Sequence, residues 1–167
     1  MKIIEAHSAA ELTVAEGLMR EFLAWVRIRY RDWPEVVAAY YDMAAWEREL
    51  GNLAVEYRPP DGCVLLALID DEPAGCVAMK RVDPATCEMK RLFIRDRYQG
   101  VGTGRTLCNA LLDAARARHY ARMRLETGDQ QLEAQALYRS LGFCTIEPYH
   151  AYQEHLLAHL VSMEITL

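Results

Sequence analysis

Gly100, Gly102 and Gly104, set in Arg97-Tyr98-Gln99-Gly100-Val101-Gly102-Thr103-Gly104-Arg105, point most directly to a ligand by type and spacing. They follow an apolar run, Met89 to Ile94, and precede Leu107, Leu111 and Leu112 at helical spacing. Strand, glycine-rich turn and helix together make a pyrophosphate site. Glycine lets the backbone approach the anion, and free N–H groups at the helix start point at it with the helix dipole behind them. The spacing is G-x-G-x-G with Arg at 105, so this is not the dinucleotide fingerprint, and no G-K-[ST] ending makes it a P-loop.

A second motif lies downstream. Gln99-x-x-Gly102-x-Gly104 resembles the acetyl-CoA pyrophosphate loop of the GNAT family of N-acetyltransferases, and Ala136-Leu137-Tyr138-Arg139-Ser140-Leu141-Gly142-Phe143 resembles that family's helix ending in L-Y-x-x-L-G-F. The two stand in the family's order with a strand-like Met123–Glu126 between them, and the resemblance runs from about Val64 to Ile146. It implies an α+β fold with a mixed, centrally splayed sheet flanked by helices. It also implies acetyl-CoA as co-substrate without a metal, and direct attack by an amine in a ternary complex.

Acetyl transfer from a thioester needs an amine that loses its proton, a donor for the oxyanion and a donor for the leaving thiolate. By the resemblance Tyr138 is the acid near the coenzyme sulfur; read from spacing alone it is a packed aromatic of an amphipathic helix. Glu88 stands where histone-acetylating members carry a glutamate base. Burial would raise its pKa toward neutrality; the alternative is a strand glutamate paired with Lys80 or Arg81. The backbone of Gln99, Gly100, Val101, Gly102, Thr103, Gly104 and Arg105 is expected on the pyrophosphate, with Thr103 adding a contact or capping the helix. Leu92, Phe93 and Ile94 are expected on the pantetheine arm. Gln131 stands where the family commonly has an Asn on that arm, and Arg139 lies near the adenosine phosphate or in solvent. Trp33, Tyr40 and Tyr41 belong to helices that, by resemblance, roof the acceptor site. Glu126 either holds the substrate amine or ends a strand. His155 and His159, four apart, suggest a surface pair more than metal ligands.

Composition bounds these readings. A chain of 167 residues, 52% hydrophobic and 26% charged, suits one soluble domain spanning 1–167. The first residues carry no apolar leader-like run and no segment is long enough for a membrane span, so a cytoplasmic protein without membrane contact is expected. Five cysteines without a C-x-x-C pair read as reduced core residues. A net charge of −5 disfavours nucleic-acid binding and suits a cationic small-molecule amine. Alternatives are a non-catalytic acyl-CoA sensor, or acetylation of protein or aminoacyl-tRNA, the latter through Arg116, Arg118, Arg122 and Arg124. A homodimer through the C-terminal strand is a further expectation.

The elements that must position these residues follow from periodicity. Lys2 to Glu5 reads as a strand, Leu12 to Tyr30 as an amphipathic helix, and Pro34 to Leu50 as a second helix stopped by Gly51. Strands at 63–69, 75–82 and 87–94 form an antiparallel meander. Helix 103–118, strand 123–126, helix 130–141 with Asp129 as N-cap, strand 143–146, a short helix at 152–160 and strand 161–167 complete the order.

Overall fold

The computed structural model describes residues 1–167. Strand β1 (Lys2–Glu5) leads into α1 (Ala9–Arg29), then α2 (Pro34–Tyr40), α3 (Met43–Leu50) and a short turn of helix α4 (Leu53–Glu56). Strands β2 (Cys63–Ile69), β3 (Glu72–Asp83) and β4 (Thr86–Ile94) follow, then α5 (Thr103–Ala117), β5 (Arg122–Gly128), α6 (Leu132–Ser140), β6 (Cys144–Ile146), α7 (Glu154–Leu157) and β7 (Leu160–Thr166). The seven strands form one sheet in the order β1-β2-β3-β4-β5-β7-β6, antiparallel except for the parallel pair β4–β5.

Local chemistry explains most element ends. Ser8 and Glu11 form a capping box on α1: the Ser8 hydroxyl accepts from the Glu11 N–H at 3.2 Å, and the Glu11 carboxylate accepts from the Ser8 N–H at 2.8 Å. The β2–β3 hairpin turns at Asp70 and Asp71, both left-handed at φ 52° and 61°, as a primed turn requires. The expected single helix 34–50 is instead two. Tyr41 is extended, and Asp42 caps α3 by accepting from the N–H groups of Ala44 and Ala45. The short C-terminal helix is confined to Glu154–Leu157. Asp129 is not the cap of α6, which begins after Gln131.

Alternation in the strands builds a core on each face. Val64 and Leu66 of β2 pack with Leu18, Met19 and Val26 of α1, whereas Cys63, Leu65 and Ala67 pack with Leu107, Leu111 and Leu112 of α5. Cys63, Cys76, Cys87 and Cys108 are buried and free, and burial pushes each thiol up to about 12. Cys144, expected in the core, is exposed. Strand β7 is paired with β5 along its whole length and with β6 at Ser162, Met163 and Glu164.

The sheet opens between β4 and β5. Only Thr86–Arg122, Cys87–Met123 and Glu88–Arg124 are in register, and beyond them the strands part. On its other side β4 stays bound to β3 through a bulge. Cys76 pairs with Phe93 but Ala78 with Lys90, and Arg91 within the insertion sits at φ 60°. At the bulge's end Gly75 lies so close to β4 that a Cβ there would overlap the Phe93 carbonyl oxygen. Gly75→Ala is therefore expected to lower stability by about 1–3 kcal/mol. A thermal melt should show a drop of several degrees, whereas Gly100→Ala, where a Cβ meets nothing within 4 Å, should be limited to the cost of its positive φ.

Candidate active site

A cleft of about 1030 Å³ occupies the gap between β4 and β5. Its outer end is the glycine turn. Gly100 and Gly102 are left-handed at φ 75° and 90°, and Gly102 is the N-cap of α5 with no side chain capping the helix. The N–H groups of the first turn are thus left for a ligand, which is the arrangement that receives phosphate. Gly100, Gly102, Thr103, Gly104, Arg105 and Gln99 line the cleft. Two of their side chains serve the loop itself. Thr103 is buried and donates to the Tyr98 carbonyl at 3.0 Å, and the Gln99 amide donates to the Ile94 carbonyl at 2.9 Å. The Arg105 guanidinium reaches Ser140 at 2.8 Å. Val101 is exposed and does not line the cleft, nor does Arg139, whose guanidinium donates to Gln135 at 3.1 Å.

Along the cleft, Leu92, Phe93 and Ile94 form one wall on the free edge of β4. The bulge that shapes this wall is held by a buried ion pair. Arg91 donates through Nε and Nη2 to the two oxygens of Glu49 on α3, at 2.8 and 2.5 Å. Its guanidinium also lies over the Trp46 ring at 4.4 Å. Tyr57 donates to the same carboxylate at 2.5 Å. Burial alone would raise the Glu49 carboxyl, but the Arg91 bonds and charge outweigh it and hold it below its ordinary 4.5.

At the inner end Tyr138 lines the cleft, 6% exposed, against Phe143. Burial raises its phenol well above the usual value. Its hydroxyl therefore carries its proton and is available as a donor in the cleft. The Gln131 carbonyl accepts from Thr127 at 2.7 Å and the Gly128 N–H at 3.3 Å, which aims the side chain at the cleft it lines.

A smaller chamber of about 70 Å³ adjoins the cleft and shares Met89, Lys90, Glu126, Thr127 and Gln131 with it. Its floor is Glu88 and Glu126 on the α1 face of the sheet. The expectation of a Glu88 with raised pKa is overturned. Burial does push that way, but the charge of Lys90 at 3.5 Å, the Tyr149 hydroxyl at 3.0 Å and His150 at 3.3 Å leave the carboxyl below its ordinary value. Lys80 does stand opposite it in the β3–β4 register, as one sequence alternative expected, but the close polar contacts of the carboxylate are Lys90, Tyr149 and His150. Glu126 differs. Burial and the neighbouring Glu88 raise it, and one strong bond, from Tyr152 at 2.6 Å, only partly compensates. It keeps lone pairs free and has the proton affinity of a base.

Tyr149, His150 and Tyr152 thus tie the β6–α7 loop onto both carboxylates. A polar loop carrying Tyr-His-x-Tyr was the sequence signal for them. Tyr40 lines the chamber and packs on Tyr152, with ring centres 5.8 Å apart, while Trp33 lines the larger cleft. His159 lies beyond α7, away from any helix face shared with His155, and its Nδ1 is 3.1 Å from Asp129, which also accepts from Tyr30 at 2.9 Å. Glu88, Glu126 and His150 place donor atoms within 4.8 Å of one another. Arg116, Arg118 and Arg124 are bound to Asp113, Glu5 and Glu164, which removes most of the basic patch a tRNA would need.

The Acetyltransferase (GNAT) family model matches residues 19–143. The chain is similar to an uncharacterized N-acetyltransferase of Schizosaccharomyces pombe, 39% identical over 104 residues that make up 61% of this chain and 64% of that protein. It is 29% identical to human N-acetylaspartate synthetase over 122 residues, 72% of this chain and 40% of that one. The chain therefore spans less than two thirds of the length of these relatives. Among solved structures, PaiA N-acetyltransferase of Thermoplasma acidophilum in complex with coenzyme A superposes with a TM-score of 0.71 at 18% identity, covering 100% of both chains. That likeness is one of fold. No helix is long and apolar enough to cross a membrane.

The Arg91–Glu49 pair yields a prediction. Removing one partner strands a buried charge, so Glu49→Ala is expected to cost about 3–5 kcal/mol in denaturant unfolding. Because the Glu49 carboxyl is depressed in the folded state, the pair's contribution is complete above the ordinary value of 4.5. It is lost as pH falls through the lower folded value. In Glu49→Ala this acid-side loss should shrink.

Proposed function

Because the chain belongs to the acetyltransferase (GNAT) family, we propose that it binds acetyl-CoA in the larger cleft and moves the acetyl group to a primary amine held in the smaller chamber. The observation that carries this reading is the junction of the two spaces. An uncapped helix start and an open strand edge lie at one end, and a carboxylate of raised proton affinity lies at the other.

The chemistry assigns each group a task. The first-turn N–H groups of α5 receive the pyrophosphate, and the free edge of β4 with the Gln131 amide receives the amide-bearing arm. Glu126, rather than Glu88, takes one proton from the bound ammonium, which frees the nitrogen lone pair to attack the thioester carbon. The C–N bond forms, the C–S bond breaks, and the second proton shed by the nitrogen passes to the departing thiolate, which the Tyr138 hydroxyl stabilises. Glu88, kept charged, holds the incoming ammonium beside Glu126 and fixes the loop above it. The buried cysteines are not suited to an acyl-enzyme: Cys108 and Cys87 have thiols raised by burial, which suppresses the nucleophilic thiolate. Transfer is therefore direct.

Two variants separate an enzyme from a binding module. Tyr138→Phe should bind acetyl-CoA within about threefold of the parent in a calorimetric titration, while amine-dependent thiol release falls about 10–100-fold. Unchanged turnover would remove the role given to Tyr138. Glu126→Gln should lose about 10²–10⁴ in kcat. In the parent, activity should fall as pH drops through the Glu126 pKa, which lies above the ordinary 4.5 because the base must be unprotonated. A Glu126→Gln profile that kept this acid limb would assign the base elsewhere.

A further inference from the structure

If the chain is the transferase proposed, the walls of its smaller chamber discriminate among amines. The acidic groups of that chamber, Glu88 and Glu126, stand on strands β4 and β5, and Val26, Val36 and Val37 line it from α1 and α2 beside the Tyr30 and Tyr40 rings. An acceptor thus meets carboxylates from the sheet and apolar surface from the helices.

The basic groups on the walls are already engaged. Lys90 lies 3.5 Å from Glu88, Arg91 is held by both oxygens of Glu49, and His159 is bonded to Asp129. With Arg91 and His159 held by acids outside the chamber, Glu88 and Glu126 face Lys90 as the one remaining cation, so an α-carboxylate beside the reacting amine would add a third acid to a confined space. The same charges favour an ammonium. A second ammonium fares no better than a carboxylate, since the residues lining from α1 and α2 offer it no acid. The chamber is small, about 70 Å³, against about 1030 Å³ for the cleft it adjoins, which suits a compact hydrocarbon body.

We propose that the acceptor is a small primary alkylamine with a compact hydrocarbon body and no carboxylate, its nitrogen at Glu88 and Glu126 and its body against Val36 and Val37. This sets the chain apart from a relative such as N-acetylaspartate synthetase, whose name specifies a dicarboxylate product.

Matched pairs test it. Leucine and 3-methylbutylamine share a side chain and an amine and differ by the carboxylate. With the full-length chain and saturating acetyl-CoA, kcat/KM from thiol release should favour 3-methylbutylamine over leucine by at least 100-fold. It should exceed 1,4-diaminobutane by at least tenfold, and aspartate should not react. Val37→Phe, which enlarges the apolar lining, should raise KM for 3-methylbutylamine at least tenfold while calorimetric acetyl-CoA affinity stays within about threefold. Leucine, aspartate or the diamine reacting as well as the monoamine would overturn the assignment while leaving the transferase intact. A KM unmoved by Val37→Phe in a variant that still binds acetyl-CoA would overturn the placement. Acetyl-CoA binding with no amine of the panel acetylated would remove the transferase reading and this inference with it.

Discussion

The Arg91–Glu49 ion pair is the constraint on which the rest of the site depends. A sheet whose central strands ran in register would have no cleft. Here β4 carries an extra residue in a left-handed conformation, which an arginine adopts at a cost of order 1–3 kcal/mol. The guanidinium fork against a carboxylate, with Trp46 behind it and Tyr57 on the same oxygen, offsets that cost. The pair also fixes α3 over the sheet. One interaction therefore shapes the strand edge facing the larger cleft and helps hold the helices beside the smaller chamber.

The two carboxylates of that chamber show how environment divides labour between identical groups. Glu88 and Glu126 lie on adjacent strands, both away from solvent. Lys90, Tyr149 and His150 all converge on Glu88 and keep it charged. Glu126 has Tyr152 and a long contact from Ser162, and Glu88's own charge beside it, so its proton affinity rises. Three donors on one carboxylate and one strong donor on the other are enough to split their roles.

Much of this was legible in the sequence because it rests on local rules. Glycine spacing around 100–104 encodes a left-handed turn and an open helix start, and the hydrophobic periods of 63–94 encode the meander. What was not legible depends on groups distant in the chain. The break between α2 and α3 turns on Asp42 as a cap, inside a run whose apolar period continues across it. Asp129 reads as a cap from its neighbours, yet Tyr30 and His159 claim it from 99 and 30 residues away. The difference in environment between Glu88 and Glu126 is of the same kind. It is set largely by Tyr149, His150 and Tyr152, which reach the two carboxylates from 61, 62 and 26 residues away.

The brevity of the β4–β5 ladder has a mechanical meaning. Three register pairs join one half-sheet, β1 to β4, to another, β5, β7 and β6. The packing of α1 and α5 spans the seam, but its open edges keep unpaired backbone groups on both lips. Such a seam is where a folded chain breathes, opening locally without losing either half. A ligand that bonds to the β4 lip while touching the β5 lip acts as the missing rung. Its binding energy is then also cohesion between the two halves, and the amides bordering the gap become a gauge of occupancy, exchanging with solvent when the rung is absent and protected when it is in place.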